Sequence, residues 1–337
     1  MAKPRILLVS TGGTITMTAQ AGSGMVPTLS GQDLVEAVPE LGQLAEIEVI
    51  SFSSKPSASL TLENSVGIAA LLDAKLASGF SGAVVVQGTD TIEETAFVLD
   101  LLVASDRPVA VTGAMRGPTA PGADGPANLL AAVTVAADAQ AYNLGTVAVL
   151  NDEVHAGRFV QKSHTALPSA FASPGFAPIG RVIEGALHLY AVPPRLAALA
   201  RPEKLDDAPV ALVKMVLGDD GRMLAALPRL GYRGAVIEAM GAGHVPAQLV
   251  PVITNLVEKM PVVLSTRIAN SPVFTHSYGF PGSEIDLLAR GVIPGGTLAG
   301  TKACLLMRLL LANQLEGDAL RATYIQWSNY SRITRKA

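Results

Sequence analysis

Three short segments of this 337-residue chain gather hydroxyl, carboxylate and amine side chains where an apolar run stops. The first is Thr11-Gly12-Gly13-Thr14-Ile15, which follows the run 5–10. Two adjacent glycines let a backbone turn tightly and expose its N–H groups, and the hydroxyls of Ser10, Thr11 and Thr14 flank that turn. Three readings fit. The hydroxyls satisfy local backbone groups, the loop cradles a phosphate, or a threonine nucleophile stands beside an anion-stabilising turn. The cradle is the weakest of these, because neither G-x-G-x-x-G nor a P-loop lysine is present.

The second segment is Gly88-Thr89-Asp90-Thr91, between the run 83–87 and Glu93-Glu94. Asp90 or Thr91 as a helix cap, with acids complementing the helix dipole, is the plain reading. A cap needs only one such side chain, however, and a hydroxyl next to a carboxylate at a strand end also begins a base-and-orienter pair. The third, Gly113-Ala114-Met115-Arg116, leads into Ala123-Asp124-Gly125-Pro126. Asp124 is expected to cap a helix with Pro126 in its first turn, and Arg116 reads as a structural arginine on loop carbonyls. Further on, Gly157-Arg158 precedes Lys162. A lysine is ordinarily a solvated charge, but one desolvated on the same rim as Thr89 and Asp90 can act as a base.

The elements that must position these groups read as α/β. Continuous β-branched runs at 5–10, 83–87, 109–112 and 147–150 alternate with helix-like stretches at 62–78, 92–104 and 128–139. Such strands, apolar on both sides, argue for a parallel sheet covered on both faces. Strands at 210–216, 235–239 and 262–265 and helices at 247–259 and 301–314 repeat the pattern in a second series. The segment 193–209 is proline-punctuated and reads as a linker. It is expected to join a larger N-terminal α/β domain, 1–192, to a smaller C-terminal one, 210–337, with the boundary near residue 205. In open α/β sheets ligands sit at the carboxyl ends of the strands, where the three segments fall.

Composition removes several function classes. Net charge is −3, from 25 basic and 28 acidic residues, with no basic block, so neither nucleic acid nor a membrane surface is an expected partner. The single cysteine, Cys304, excludes an intrachain disulfide framework and a cysteine-based zinc site. No metal and no cofactor is expected. No secretory leader or long uncharged apolar segment is apparent, which makes a cytoplasmic protein the default expectation.

Thr11-Gly12-Gly13-Thr14-Ile15, Gly88-Thr89-Asp90-Thr91, Gly113-Ala114-Met115-Arg116, Ala123-Asp124-Gly125-Pro126 and Gly157-Arg158 with Lys162, in this order, resemble the bacterial-type L-asparaginase/glutaminase family from about residue 6 to 310. The resemblance implies a two-domain α/β subunit, an intimate homodimer or homotetramer with sites between subunits, and a small-molecule amide as substrate. Thr14 resembles the nucleophile that attacks the side-chain amide. Thr89, Lys162 and Asp90 resemble the second cluster, in which a lysine-polarised threonine handles protons. An ester-linked acyl-threonine and ammonia would form, and water would then release the acid. Among substrate-binding positions, Ser54 matches the serine for the α-carboxylate and Asp90 the partner of the α-ammonium. Glu284 matches an acid lent by the neighbouring subunit.

Three positions depart from the family pattern. The loop after the first strand has no tyrosine; Gly24 or Met25 takes that place, and Met25 has no hydroxyl to offer. Lys55 follows Ser54 where amino-acid-specific members often have glutamine, and an ammonium there repels an α-ammonium unless its stem carries it into solvent. His244 stands where many members have asparagine, and a neutral histidine keeps one donor and one acceptor. Tyr278, six residues before Glu284, is the best candidate to replace the missing hydroxyl. The leading expectation is hydrolysis of L-asparagine to L-aspartate and ammonia. The alternatives are an amidase for a related amide without a free α-amino group, a non-catalytic binding module on the same fold, and a domain feeding ammonia to an amidotransferase.

Overall fold

The computed structural model describes residues 2–13, 15, 17–20, 24–27, 30–205, 208–269 and 271–329, with the backbone alone for 17–20 and 24–27. The chain folds as two compact units, Met1–Leu199 and Ala200–Ala337.

In the first unit the strands are β1 (Arg5–Ser10), β2 (Met17–Gln20), β3 (Gly24–Pro27), β4 (Glu46–Ser51), β5 (Gly82–Val86), β6 (Val109–Thr112), β7 (Thr146–Leu150), β8 (Glu153–Ala156), β9 (Gln161–Lys162), β10 (Phe171–Ala172), β11 (Gly180–Ile183) and β12 (Ala186–Leu189). Eight of them form one sheet in the order β12-β11-β8-β7-β6-β5-β1-β4. The stretch from β4 to β7 is parallel, and β8, β11 and β12 extend the far edge antiparallel. Every residue of β5, β6 and β7 is buried, as apolar strands covered on both faces must be.

Register is what matters for function. Ser10 pairs with Ser51 on one side and Val86 on the other, and Val86 pairs with Thr112. The ends of β4, β1, β5 and β6 are therefore level, so the loops that follow emerge side by side.

The expected helices form at Leu62–Ala77, Ile92–Leu102 and Gly125–Ala137. The second stops before 104 because the Asp73 carboxylate accepts the Ala104 and Ser105 N–H groups, at 3.0 and 3.1 Å. The Arg195 guanidinium donates to the carbonyls of Val103 and Ser105, at 2.7 and 2.6 Å. Asp124 corrects the expected cap. It stands at the N-cap position of Gly125–Ala137 without a side-chain cap bond. Its carboxylate instead accepts the N–H groups of Met115 and Arg116, at 2.9 and 2.8 Å, and so folds the loop after β6 back on itself.

The second unit holds β13 (Val210–Lys214), β14 (Gly234–Ala239), β15 (Val262–Thr266) and β16 (Ile293–Pro294) in one parallel sheet of that order. Its core includes Met215, Ile237, Ile253, Leu264, Leu287 and Val292. The expected helix 247–259 is a single 3-10 turn, Ala247–Leu249, followed by Val250–Val257 with Pro251 in its first turn. The helix Gly317–Ser328 had no counterpart in the sequence reading. Among the described residues no helix is long and apolar enough to cross a membrane.

Candidate active site

The site in the first unit is built from glycine loops that touch backbone to backbone. Gly13 has a φ of 100°, and a Cβ placed there would lie 2.1 Å from the Gly88 nitrogen. Only glycine fits both the left-handed backbone and that approach, so the first two motifs are glycine-rich because they pack against each other. On the other side, a Cβ on Gly12 would lie 2.8 Å from the Lys55 carbonyl oxygen. The Thr11 N–H donates to the Val86 carbonyl at 2.9 Å, and the Thr11 carbonyl accepts the Lys55 N–H at 3.0 Å. The Ser53 hydroxyl donates to the same carbonyl at 3.0 Å. The Ser54-Lys55 segment is thus pinned beside the first motif, and both of its side chains are exposed.

Thr89, Asp90 and Lys162 meet as expected from the resemblance. Lys162 Nζ donates to Thr89 Oγ1 at 2.8 Å and to Asp90 Oδ1 at 2.7 Å. Thr89 is buried, at 6% exposure, while the Asp90 side chain is 64% exposed and that of Lys162 18%. With a proton of Lys162 Nζ on its lone pair, the Thr89 hydroxyl keeps its own proton for a second acceptor. The exposed face of the Asp90 carboxylate remains open to a cation from solution.

Capping is not what these side chains do. The helix after the motif has Thr91 at its N-cap position without a side-chain cap bond; the Thr91 hydroxyl donates to the Ser57 carbonyl at 3.1 Å. Ser57, which the sequence reading passed over, is buried, and its hydroxyl accepts the Asp90 N–H at 3.2 Å. Its partners lie 33 and 34 residues away in sequence, and nothing local marked it. Asn128 was also missed. Its amide donates to the Gly113 carbonyl at 2.9 Å and to Asp124 at 3.1 Å, and its oxygen accepts the Asn151 N–H at 2.8 Å. Arg116 does hold a loop carbonyl, that of Gly122, at 2.9 Å.

Thr14 lies outside the described residues, as does the side chain of Met25; of Gly24 and Met25 only the backbone is described. Thr14 directly follows Gly13, whose contact with Gly88 is described above.

In the second unit His244 and Glu284 come together, with His244 Nε2 and Glu284 Oε2 3.2 Å apart. Glu284 is fully buried at the start of the helix Glu284–Ala289. Its other oxygen accepts the N–H groups of Ser277 and Tyr278, at 2.9 and 2.7 Å. Tyr278 is 45% exposed, and the rings of Tyr278 and Phe280 stand edge-on to His244, at 4.9 and 5.0 Å between centroids.

Burial alone would push the Glu284 carboxyl up. The N–H groups of Tyr278, Ser277 and Glu284 itself, with His244, outweigh it and hold the group below the usual glutamate value. A carboxyl depressed in the folded state contributes stability that is complete above its unfolded value of ~4.3 and is lost as pH falls through the lower folded value. Glu284→Gln is therefore expected to melt below the unsubstituted protein at pH 7, by about 2–4 °C for each kcal/mol lost. The difference should shrink towards pH 3. Thermal melts of both proteins across this range check it; a gap that does not change with pH contradicts it.

Among the described residues no three His, Cys, Asp or Glu side chains gather as a metal ion would need. The sheet with its level strand ends and the hydroxyl–ammonium–carboxylate cluster on that rim define an α/β protein with a small polar site. Residues 5–195 match the family Asparaginase, N-terminal, and residues 209–324 match the Glutaminase/Asparaginase C-terminal domain. The chain is 32% identical to an L-asparaginase of Bacillus licheniformis over 318 residues, covering 93% of this chain and 97% of that one. It is 35% identical to a probable L-asparaginase of Deinococcus radiodurans, covering 96% and 98%. The crystal structure of a probable cytoplasmic L-asparaginase from Campylobacter jejuni superposes with a TM-score of 0.84 at 30% identity, covering 96% of this chain and 99% of that one. The chain belongs to the asparaginase family.

Proposed function

We propose that this chain hydrolyses the side-chain amide of L-asparagine to L-aspartate and ammonia through an acyl-threonine intermediate. The observation that carries the reading is the contact of Lys162 Nζ with both Thr89 Oγ1 and Asp90 Oδ1. The names of the relatives supply the substrate.

In this reading the Thr14 hydroxyl attacks the amide carbon and N–H groups of the glycine loops hold the oxyanion. The proton lost by the Thr14 hydroxyl is delivered to the nitrogen, the carbon–nitrogen bond breaks and ammonia leaves, and the acyl group stays on Thr14 as an ester. Water then attacks the ester carbon; its proton passes by way of the Thr89 hydroxyl, held by Lys162 Nζ, to the departing Thr14 oxygen, which regains its hydroxyl as the acid is released. Ser54 binds the α-carboxylate, and the exposed Asp90 carboxylate binds the α-ammonium. Glu284, with His244 beside it, approaches the site of a neighbouring subunit in a homodimer or homotetramer, and Tyr278 supplies the hydroxyl that the loop lacks. The protein works in the cytoplasm.

Ammonia release from L-asparagine, L-glutamine and succinamate tests the reading. Turnover of asparagine with kcat/KM at least ten times that for succinamate is expected, from a fold-change of ~10 per 1.4 kcal/mol of ammonium recognition. A preference for succinamate would move the assignment to an amidase for substrates without an α-amino group, and no ammonia from any of the three would leave a binding module. Lys55→Gln on the same panel locates the lysine. If its ammonium reaches the site, the glutamine variant binds asparagine better and succinamate worse; equal KM values before and after place the charge in solvent.

A further inference from the structure

We propose that Glu93 is the positioning residue for Lys162, and that the helix Ile92–Leu102 sets the reach of the lysine by gripping the segment 157–162 along one stripe. The inference rests on the reading that Lys162 serves the reaction.

Positions 93, 96 and 100 are three and seven residues apart and share one helix face. Each touches the segment that delivers the lysine. Glu93 Oε2 accepts the Lys162 backbone N–H at 2.6 Å. A Cβ on Gly157 would lie 2.6 Å from the Ala96 carbonyl oxygen, so the segment runs in contact with the helix backbone where only glycine passes. Asp100 Oδ2 lies 3.8 Å from Arg158 Nε, with both side chains largely buried, and Asp100 Oδ1 accepts the Thr146 N–H at 3.1 Å. Thr89 and Asp90 precede this helix directly. The backbone of Lys162 and both partners of its ammonium are thus referenced to one rigid element.

A lysine side chain has four rotatable carbons, and its ammonium finds a fixed hydroxyl only if its own backbone is fixed. β9 is only Gln161–Lys162, paired with Phe171–Ala172, so the Glu93 bond anchors this short ribbon at the residue that matters. Displacing a reacting group by ~1 Å lowers turnover by up to about 100-fold.

The rival role for Glu93 is an ordinary first-turn acid that complements the helix dipole. Two conservative variants separate the roles. Glu93→Asp keeps the charge and withdraws the oxygen from Lys162, whereas Glu93→Gln keeps the reach and drops the charge. Purified full-length variants are compared with Lys162→Met for kcat, KM and the pH dependence of kcat, by ammonia release from the amide the unsubstituted enzyme turns over. Positioning gives a kcat about 10-fold lower in Glu93→Asp, with KM within ~3-fold, a changed pH profile, and Glu93→Gln within ~3-fold of the starting enzyme in both constants. The inference is overturned if both variants keep the starting kcat and pH profile, or if Glu93→Gln is the impaired one. Full activity in Lys162→Met overturns it together with the proposed function. Loss in Lys162→Met beside an unimpaired Glu93→Asp overturns this inference alone.

Discussion

Thr14→Val is expected to reduce ammonia release from L-asparagine by on the order of 10⁴ or more, the loss usual when the nucleophile of a concerted group is removed. Valine keeps the β-branched shape and removes only the oxygen. The Gly13–Gly88 approach and the β1–β5 pairing are made by the backbones of other residues, and the melting temperature is expected to move by no more than a few degrees. Steady-state assays with a thermal melt of the same preparation check both halves. Turnover within tenfold of the starting enzyme would remove Thr14 from the chemistry.

Lys162→Met is expected to lower kcat by ~10²–10⁴, the range for a positioned proton-transfer group. Methionine is unbranched and keeps most of the stem, while both donor bonds, to Thr89 Oγ1 and Asp90 Oδ1, are lost. Because Asp90 then loses its ammonium partner, a substrate ammonium meets an unshared carboxylate. KM for asparagine should not rise in step with the fall in kcat. Initial rates over a range of asparagine concentrations separate the two; a rise in KM with kcat unchanged would make Lys162 a binding group only.

The parallel strands β1, β5, β6 and β7 were legible because they are buried on both faces and so carry unbroken apolar runs, whereas the parallel edge strand β4 alternates exposed and half-buried residues and was not read. Nor was the antiparallel edge. β11 and β12 alternate buried and exposed residues over only four positions each, which leaves too little pattern to distinguish them from loop. The helix Gly317–Ser328 was missed for a related reason: it buries Leu320, Tyr324 and Trp327 but is otherwise largely polar.

At the site, the motif residues stood out by type and family resemblance, whereas their supports did not. Ser57 and Asn128 act through one or two backbone hydrogen bonds across 33 and 15 residues of sequence, and nothing local marks such a partner. Asp124 shows the converse. Its position before Gly125-Pro126 suggested a cap, and the carboxylate is instead taken by two N–H groups of a loop eight and nine residues upstream.

The central claim is that amide cleavage passes through an ester of the chain's own threonine, and partition by hydroxylamine tests it most directly. An acyl-threonine that hydrolyses with water also reacts with hydroxylamine, giving the β-hydroxamate of aspartate and the free hydroxyl. With asparagine saturating and hydroxylamine rising, the hydroxamate should grow at the expense of aspartate in fixed proportion to hydroxylamine, and Thr14→Val should form neither product. Aspartate as the sole product at every hydroxylamine concentration, with ammonia still released, would mean that water attacks the amide directly and would contradict the account.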